Sequence, residues 1–251
     1  MSCVRWYWQR ILDTLRYEGA AAFSLRLVTK WLRPFARVGL VKLYRKDLRQ
    51  PMARHRAKTP IEVVEATHAE ADRLVALMEG HLSPRRELGR ESLLRLRQGV
   101  VGRFQRGWRC FVAKAGGEII HYNWMAFDWA HSLEPELGCF IVPREGEVFC
   151  LDGYTGEPWR GKGVHTAVLS EMLAFLQERG YRTAYTNVAV EKKSAWKTHE
   201  RLGWKLSGVM LYVRLRGARR TWIWPLAGTL EPFVEEGPPP VPFPERSQTR
   251  G

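Results

Sequence analysis

Residues 156–163 read GEPWRGKG, and two phosphate-gripping patterns overlie that string. Gly156, Gly161 and Lys162 fit the G-x-x-x-x-G-K spacing of a triphosphate loop. Such a loop needs a Ser or Thr hydroxyl directly after the lysine to ligate magnesium, and Gly163 stands there. The following strand, YRTAYTNVAV, also lacks the carboxylate that would anchor the metal from a second side. Nucleotide hydrolysis therefore ranks last among the chemistries considered. Arg160, Gly161 and Gly163 suit a different task. Two glycines let the backbone turn tightly and approach an anion without a Cβ in the way. A helix starting at Val164 then points free N–H groups and the positive end of its dipole at one spot. Arg160 and Lys162 add charge at the rim.

A second stretch, KKSAWKTHERLGW (192–204), follows one strand later. The two together resemble the GNAT superfamily of acyl-CoA-dependent N-acyltransferases. The family's loop, Gln/Arg-x-x-Gly-x-Gly/Ala, is matched by Arg160, Gly161, Lys162, Gly163, Val164 and His165, with His165 where a small residue is usual. Its later helix, Asn-x-x-Ala-x-x-x-Tyr-x-Lys-x-Gly-Phe, is matched by Ala195, Arg201, Gly203 and Trp204. Lys192 stands in place of the asparagine and His199 in place of the tyrosine. The resemblance covers about residues 60–226 in element order, with most of its weight in 152–176 and 185–204.

What the resemblance implies is an acyl group, most simply the acetyl of acetyl-CoA, passing directly to a primary amine in a ternary complex. The strand before the loop, Leu151–Thr155, would splay from its neighbour, so Gly153, Tyr154 and Thr155 offer backbone groups to the pantetheine arm. Ser194 would line the same arm. At the family's tyrosine position, His199 is the candidate proton donor to the departing thiolate, with a packing role as the competing reading. Asp152 is the candidate base for the amine. Glu157 and Asn187 are placed in the acceptor cleft. Tyr122 and Trp124 alternate onto one face of a strand and form either an acceptor platform or part of the core. A catalytically weak acyl-CoA-binding module with the same fold is the alternative function, encouraged by the two substituted positions.

The elements that must hold these groups follow from periodicity. PIEVVEAT alternates like a strand, and HAEADRLVALMEG and SPRRELGRESLLRLRQG have helical spacing. WRCFVAKAGGEIIHYNWMAF reads as two strands about a Gly-Gly turn, and CFIVPREGEVFCLDGYT as another pair. GVHTAVLSEMLAFLQERG is a helix stopped by Gly180. A strand at YRTAYTNVAV, the KKSAWKTHERLG helix, and strands at WKLSGVMLYVRLRG and ARRTWIWPL complete an α/β (α+β) domain. Its expected core is a mixed sheet of about six or seven strands flanked by helices.

Charge divides the chain further. The net charge is +14, yet residues 1–58 hold fourteen Lys and Arg against three Asp and Glu. The organisation expected is a basic, helical, amphipathic extension at 1–58, the acyltransferase domain at 59–227 and a tail at 228–251 with six prolines. Arg26, Lys30, Arg33 and Arg37 fall on one helical face, and Val28, Trp31, Leu32 and Phe35 on another. That pattern suits an anionic membrane surface, with a lipid-linked amine as acceptor, or else a solvated packing helix and a small soluble amine. With no DNA- or RNA-reading motif, nucleic acid is the weakest partner class. Four scattered cysteines without zinc spacing predict reduced thiols, no metal and a cytoplasmic setting, peripheral to the membrane if the basic face docks there. A homodimer is compatible with all of this.

Overall fold

Valine-, isoleucine- and aromatic-rich runs bounded by glycine turns assemble one large sheet, and the amphipathic helices cover both of its faces. The structure, a computed structural model, describes residues 20–32, 34–82, 89–131, 139–218, 221–229 and 233–234. In chain order the helices are α1 (Ala20–Leu32), α2 (Ala71–Leu82), α3 (Arg90–Gln105), α4 (Val164–Glu178) and α5 (Lys193–Arg201). The strands are β1 (Ala36–Asp47), β2 (Glu62–Ala66), β3 (Arg109–Ala115), β4 (Glu118–Ala126), β5 (Ala130–His131), β6 (Phe140–Ile141), β7 (Glu147–Thr155), β8 (Thr183–Ala189), β9 (Lys205–Leu215), β10 (Trp222–Gly228) and β11 (Phe233–Val234). Eight strands form the main sheet in the order β10-β9-β1-β8-β7-β4-β3-β2, and β11-β6-β5 form a small second one. The main sheet is antiparallel except where β7 runs parallel to β8. The α/β class and flanking helices match the expectation, with one or two more strands than the sequence suggested.

Two cores result, one on each face. Leu74, Val75 and Met78 of α2 and Val100 of α3 pack with Tyr122, Trp124 and Phe149. On the opposite face, Val164, Val168, Leu169, Met172 and Leu176 of α4 pack with Tyr44, Met125, Val148 and Trp204. β4 is buried on both sides from Ile119 onward, which is why its sequence shows no clean polar alternation.

The helical reading of residues 1–58 is corrected here. Pro34 follows α1 and cannot continue it, and Ala36–Asp47 form a strand between β8 and β9. Val41, Leu43 and Tyr44 are fully buried, so this stretch is the middle of the sheet rather than an appendage. Arg37 consequently sits on β1 and leaves the helical cation stripe, while Arg33 lies outside the described residues. Among the described side chains of α1, Val28 is 54% and Trp31 78% exposed, and Phe35 just beyond the helix is 72% exposed. Within the proline-rich tail, Phe233 and Val234 pair with Ile141 and Phe140; residues 235–251 lie outside the described residues. Among the described residues no helix is long and apolar enough to cross a membrane.

Candidate active site

The turn before α4 has the form the sequence predicts. Gly161 and Gly163 take left-handed φ of 75° and 78°, which side-chain-bearing residues adopt at a cost. A Cβ at Gly161 would meet nothing within 4 Å, and one at Gly163 would only touch the Ala57 backbone at 3.7 Å, so the positive φ rather than crowding calls for glycine at both. The segment behind is fixed by the Lys58 N–H, which donates to the Lys162 carbonyl at 2.8 Å. The first α4 bond runs from Ala167 N–H to the Gly163 carbonyl, leaving the N–H groups of Val164, His165 and Thr166 with no partner inside the helix. Arg160 curls back, its Nε donating to the Thr155 carbonyl at 3.1 Å, and pairs with the exposed Glu157 at 3.5 Å. Lys162 Nζ lies 4.7 Å from the Trp159 ring centre.

Strand β7 leads into this turn and changes character halfway. Glu147–Cys150 pair with Thr183–Thr186 of β8, and the register ends there. Beyond it, Leu151–Thr155 pair only with β4. Strands β7 and β8 therefore part beside the turn. On the β4 side, Tyr122 faces Tyr154 and Trp124 faces Leu151, so Asp152 and Gly153 together oppose Asn123 in a bulge. Asp152 takes φ 54°, the only positive value at a non-glycine among the described residues, which marks a strained position. Its carboxylate accepts from Arg103 of α3 at 2.6 Å. The sequence reading missed Arg103. Its sole signal was the i, i+3 pair Arg103–Arg106, both of which lie over the Trp108 ring.

The other predicted residues fall in three places. Ser194 is exposed on the first turn of α5, and Asn187 lies on β8 opposite Leu43, past the end of the β7 pairing. Tyr122 and Trp124 are 2% and 0% exposed in the core beneath α3, so the platform reading gives way to the packing one. Edge-on contact with Phe104 and the Arg103 guanidinium over the indole account for the placement of Trp124. His199 is 5% exposed, with its Nδ1 2.9 Å from the Ala195 carbonyl. A carbonyl only accepts, so the ring proton is on Nδ1 and Nε2 carries a lone pair. Burial lowers the His199 pKa to about 4. The ring is thus neutral near pH 7, with its one N–H committed to the Ala195 carbonyl.

His199 belongs to a row the sequence did not announce. Its ring is stacked on Tyr44 and edge-on to Trp204, and lies 5.7 Å from His165, which lies 5.2 Å from His121. Burial pushes the His121 pKa down to about 3 and that of His165 well below its ordinary value, with the two neighbouring imidazoles adding to the His165 shift. His121 Nδ1 sits 2.8 Å from the Thr155 hydroxyl, tying the row to the last residue of β7. At the far end the Tyr44 hydroxyl donates to Glu200 at 2.9 Å. The bulky His165 in the loop is thereby explained as the middle member of this row. No cluster of His, Cys, Asp or Glu suited to a metal occurs among the described residues.

The model of the acetyltransferase (GNAT) family matches residues 74–204. No curated protein matches the chain. Among solved structures, a GCN5-related N-acetyltransferase from Sphaerobacter thermophilus is similar with a TM-score of 0.50 at 16% identity, covering 75% of this chain and 56% of that one. A functionally unknown conserved protein from Staphylococcus epidermidis gives 0.49 at 13% identity over 75% of this chain and 66% of that one. A predicted acetyltransferase with acetyl-CoA from Clostridium acetobutylicum gives 0.43 at 14% identity over 58% and 90%. The chain thus spans 66% and 56% of the lengths of the Staphylococcus and Sphaerobacter proteins.

Proposed function

Because this chain belongs to the acetyltransferase (GNAT) family, we propose that it is an N-acyltransferase moving an acetyl group from acetyl-CoA directly to a primary amine in a ternary complex. The observation that carries this reading is the meeting of the left-handed Gly161–Gly163 turn with the point where β7 parts from β8. The residues present fit the co-substrate. The amides of Val164, His165 and Thr166, with Arg160 and Lys162 at the rim, hold a pyrophosphate; the backbone of Gly153, Tyr154 and Thr155 holds the pantetheine amides, and Ser194 lines the same groove. Acetyl-CoA supplies the activated acyl group when bound. Asp152 takes the amine proton, its ion pair with Arg103 being 41% exposed on the carboxylate side and open to exchange. Glu157 and Asn187 are assigned to the acceptor side. His199 serves as a positioning residue that locks α5 against Tyr44 and Trp204.

Thermal unfolding and turnover test the reading together. CoA is expected to stabilise the protein and Mg-ATP to leave it unchanged; the reverse result removes the acyltransferase assignment. With an amine panel, CoA release should show intersecting initial-rate lines and fall by about 10²-fold or more in Asp152→Asn. CoA binding without release on any amine would favour the catalytically weak module, to which the Arg103 hold on Asp152 lends weight.

We further place the N-terminal face on an anionic bilayer, with a lipid-linked amine as acceptor. The support is that Trp31 and Phe35 stand exposed beside Lys30 in the segment that carries most of the net charge. Co-sedimentation with phosphatidylglycerol vesicles should exceed that with phosphatidylcholine vesicles and drop in Trp31→Ser/Phe35→Ser. Equal recovery on both lipids returns the acceptor to the soluble amines.

A further inference from the structure

Helix α4 has a cavity against it, well away from its N-terminal turn. A space of about 200 Å³ opens between the middle of α4, the C-terminal end of α5 and the connection after β1. Lys46, His55, Ser170, Arg201, Gly203 and Met52 line it, and no Asp or Glu does. Ser170 and Leu173 on its wall follow Gly163 by roughly two and three helical turns, so the cavity is displaced along α4 from the loop.

Lys46 makes this cavity unusual. The residue is 6% exposed, and its Nζ lies 2.8 Å from where a Cβ on Gly203 would sit. Among the described residues the ammonium has neither a hydrogen-bond partner nor a carboxylate within ion-pair distance. Neighbouring carboxylates are committed elsewhere: Asp47 to Arg49, Glu171 and Glu178 to Arg54, and Glu200 to Tyr44. A buried ammonium without a hydrogen bond or ion pair is costly, and desolvation accordingly lowers the Lys46 pKa; the nearby Asp47 charge opposes this and Lys205 adds to it. The C-terminal end of α5 offers Lys46 some partial negative charge. Arg201 then adds a cation that this end does not offset, and His55 adds an imidazole.

We propose that this cavity binds a small phosphate-bearing anion at a site separate from the loop before α4. An ammonium, a guanidinium able to bind two oxygens at once and an imidazole surround the space, a donor set that matches a tetrahedral oxyanion, while the Ser170 hydroxyl braces the wall by donating to the Ala53 carbonyl and accepting from the His55 N–H. Its volume is below that of drug-sized ligand pockets, which selects inorganic phosphate or a short phosphomonoester.

The test follows thermal unfolding of the full chain in inorganic phosphate against sodium chloride of equal ionic strength, with CoA saturating. At phosphate tenfold above its Kd the wild type should rise by about 3–5 °C. Lys46→Met and Arg201→Gln should lose most of that rise and keep the stabilisation by CoA. Removing an unpaired buried charge does not by itself unfold a protein, and Arg201→Gln at the exposed rim provides a second variant. A glycerol phosphate arm separates a phosphomonoester, which would act at lower concentration, from free phosphate. Equal phosphate responses in all three proteins overturn the proposal. So does a response abolished by CoA, which would make the cavity one end of the CoA site. If CoA gives no shift the acyltransferase reading fails, while the difference between wild type and Lys46→Met still reports on the cavity.

Discussion

Helix α4 is flanked by two places built to face an anion, and they are made from opposite materials. At its head the grip comes from the backbone: two left-handed glycines and three amides with no helical partner, with side-chain cations only at the rim. In the cavity further along, the cationic side chains of Lys46 and Arg201 converge. A backbone site depends on conformation, so a single Cβ can spoil it. A side-chain site depends on charge, and it tolerates isosteric change in shape better than loss of a cation. Sequence motifs record the first kind well, because glycine is the one residue whose absence of a side chain is itself the function.

The largest effect should come from Gly163→Val. A β-branched residue at φ 78° is strained, and the turn would have to shift to relieve it. Calorimetric CoA affinity is expected to fall by about 30-fold or more, with phosphate binding in the rear cavity unaffected. An unchanged CoA affinity would dissolve the distinction between the two sites. Next comes acid. The folded-state pKa values of His199 and His121, about 4 and about 3, lie below the unfolded value near 6.5. Below 6.5 the unfolded chain therefore binds more protons than the folded one, so stability present above pH 6.5 drains away as pH falls. His199 alone should account for roughly 3 kcal/mol between pH 6.5 and 4. Urea midpoints at pH 7, 5.5 and 4.5 measure it, and an equally steep decline in His199→Gln would refute the assignment. The smallest effect concerns the cavity without ligand. Lys46→Met should leave the urea midpoint unchanged or raise it, since methionine fills the same space without a charge to desolvate; a marked loss would mean the ammonium has a structural partner.

How much of this was readable in the residues alone follows the same division. The loop and α5 were legible because glycine spacing and helical periodicity are local properties. β1 was not. Its register joins Val41 to Ala189 and to Met210, so the partners that make it a strand lie in the other half of the chain. A short basic-apolar run beside a true helix reads as more helix until those partners are known. Asp152 was found by position, yet its positive φ and its bond to Arg103 arise from a bulge and a helix contact that no local pattern encodes. The imidazole row is similar: His121, His165 and His199 come from three separate elements and meet only in the fold.

The insertion of β1 between β8 and β9 also sets an order of events during synthesis. This strand leaves the ribosome early, while both of its neighbours are made near the end. Until they arrive it has an apolar face and two unsatisfied edges to shelter, and the sheet stays open along its middle. The nascent chain therefore needs either a holding partner or a quick late closure, and truncation before residue 205 should yield aggregates rather than a smaller folded protein.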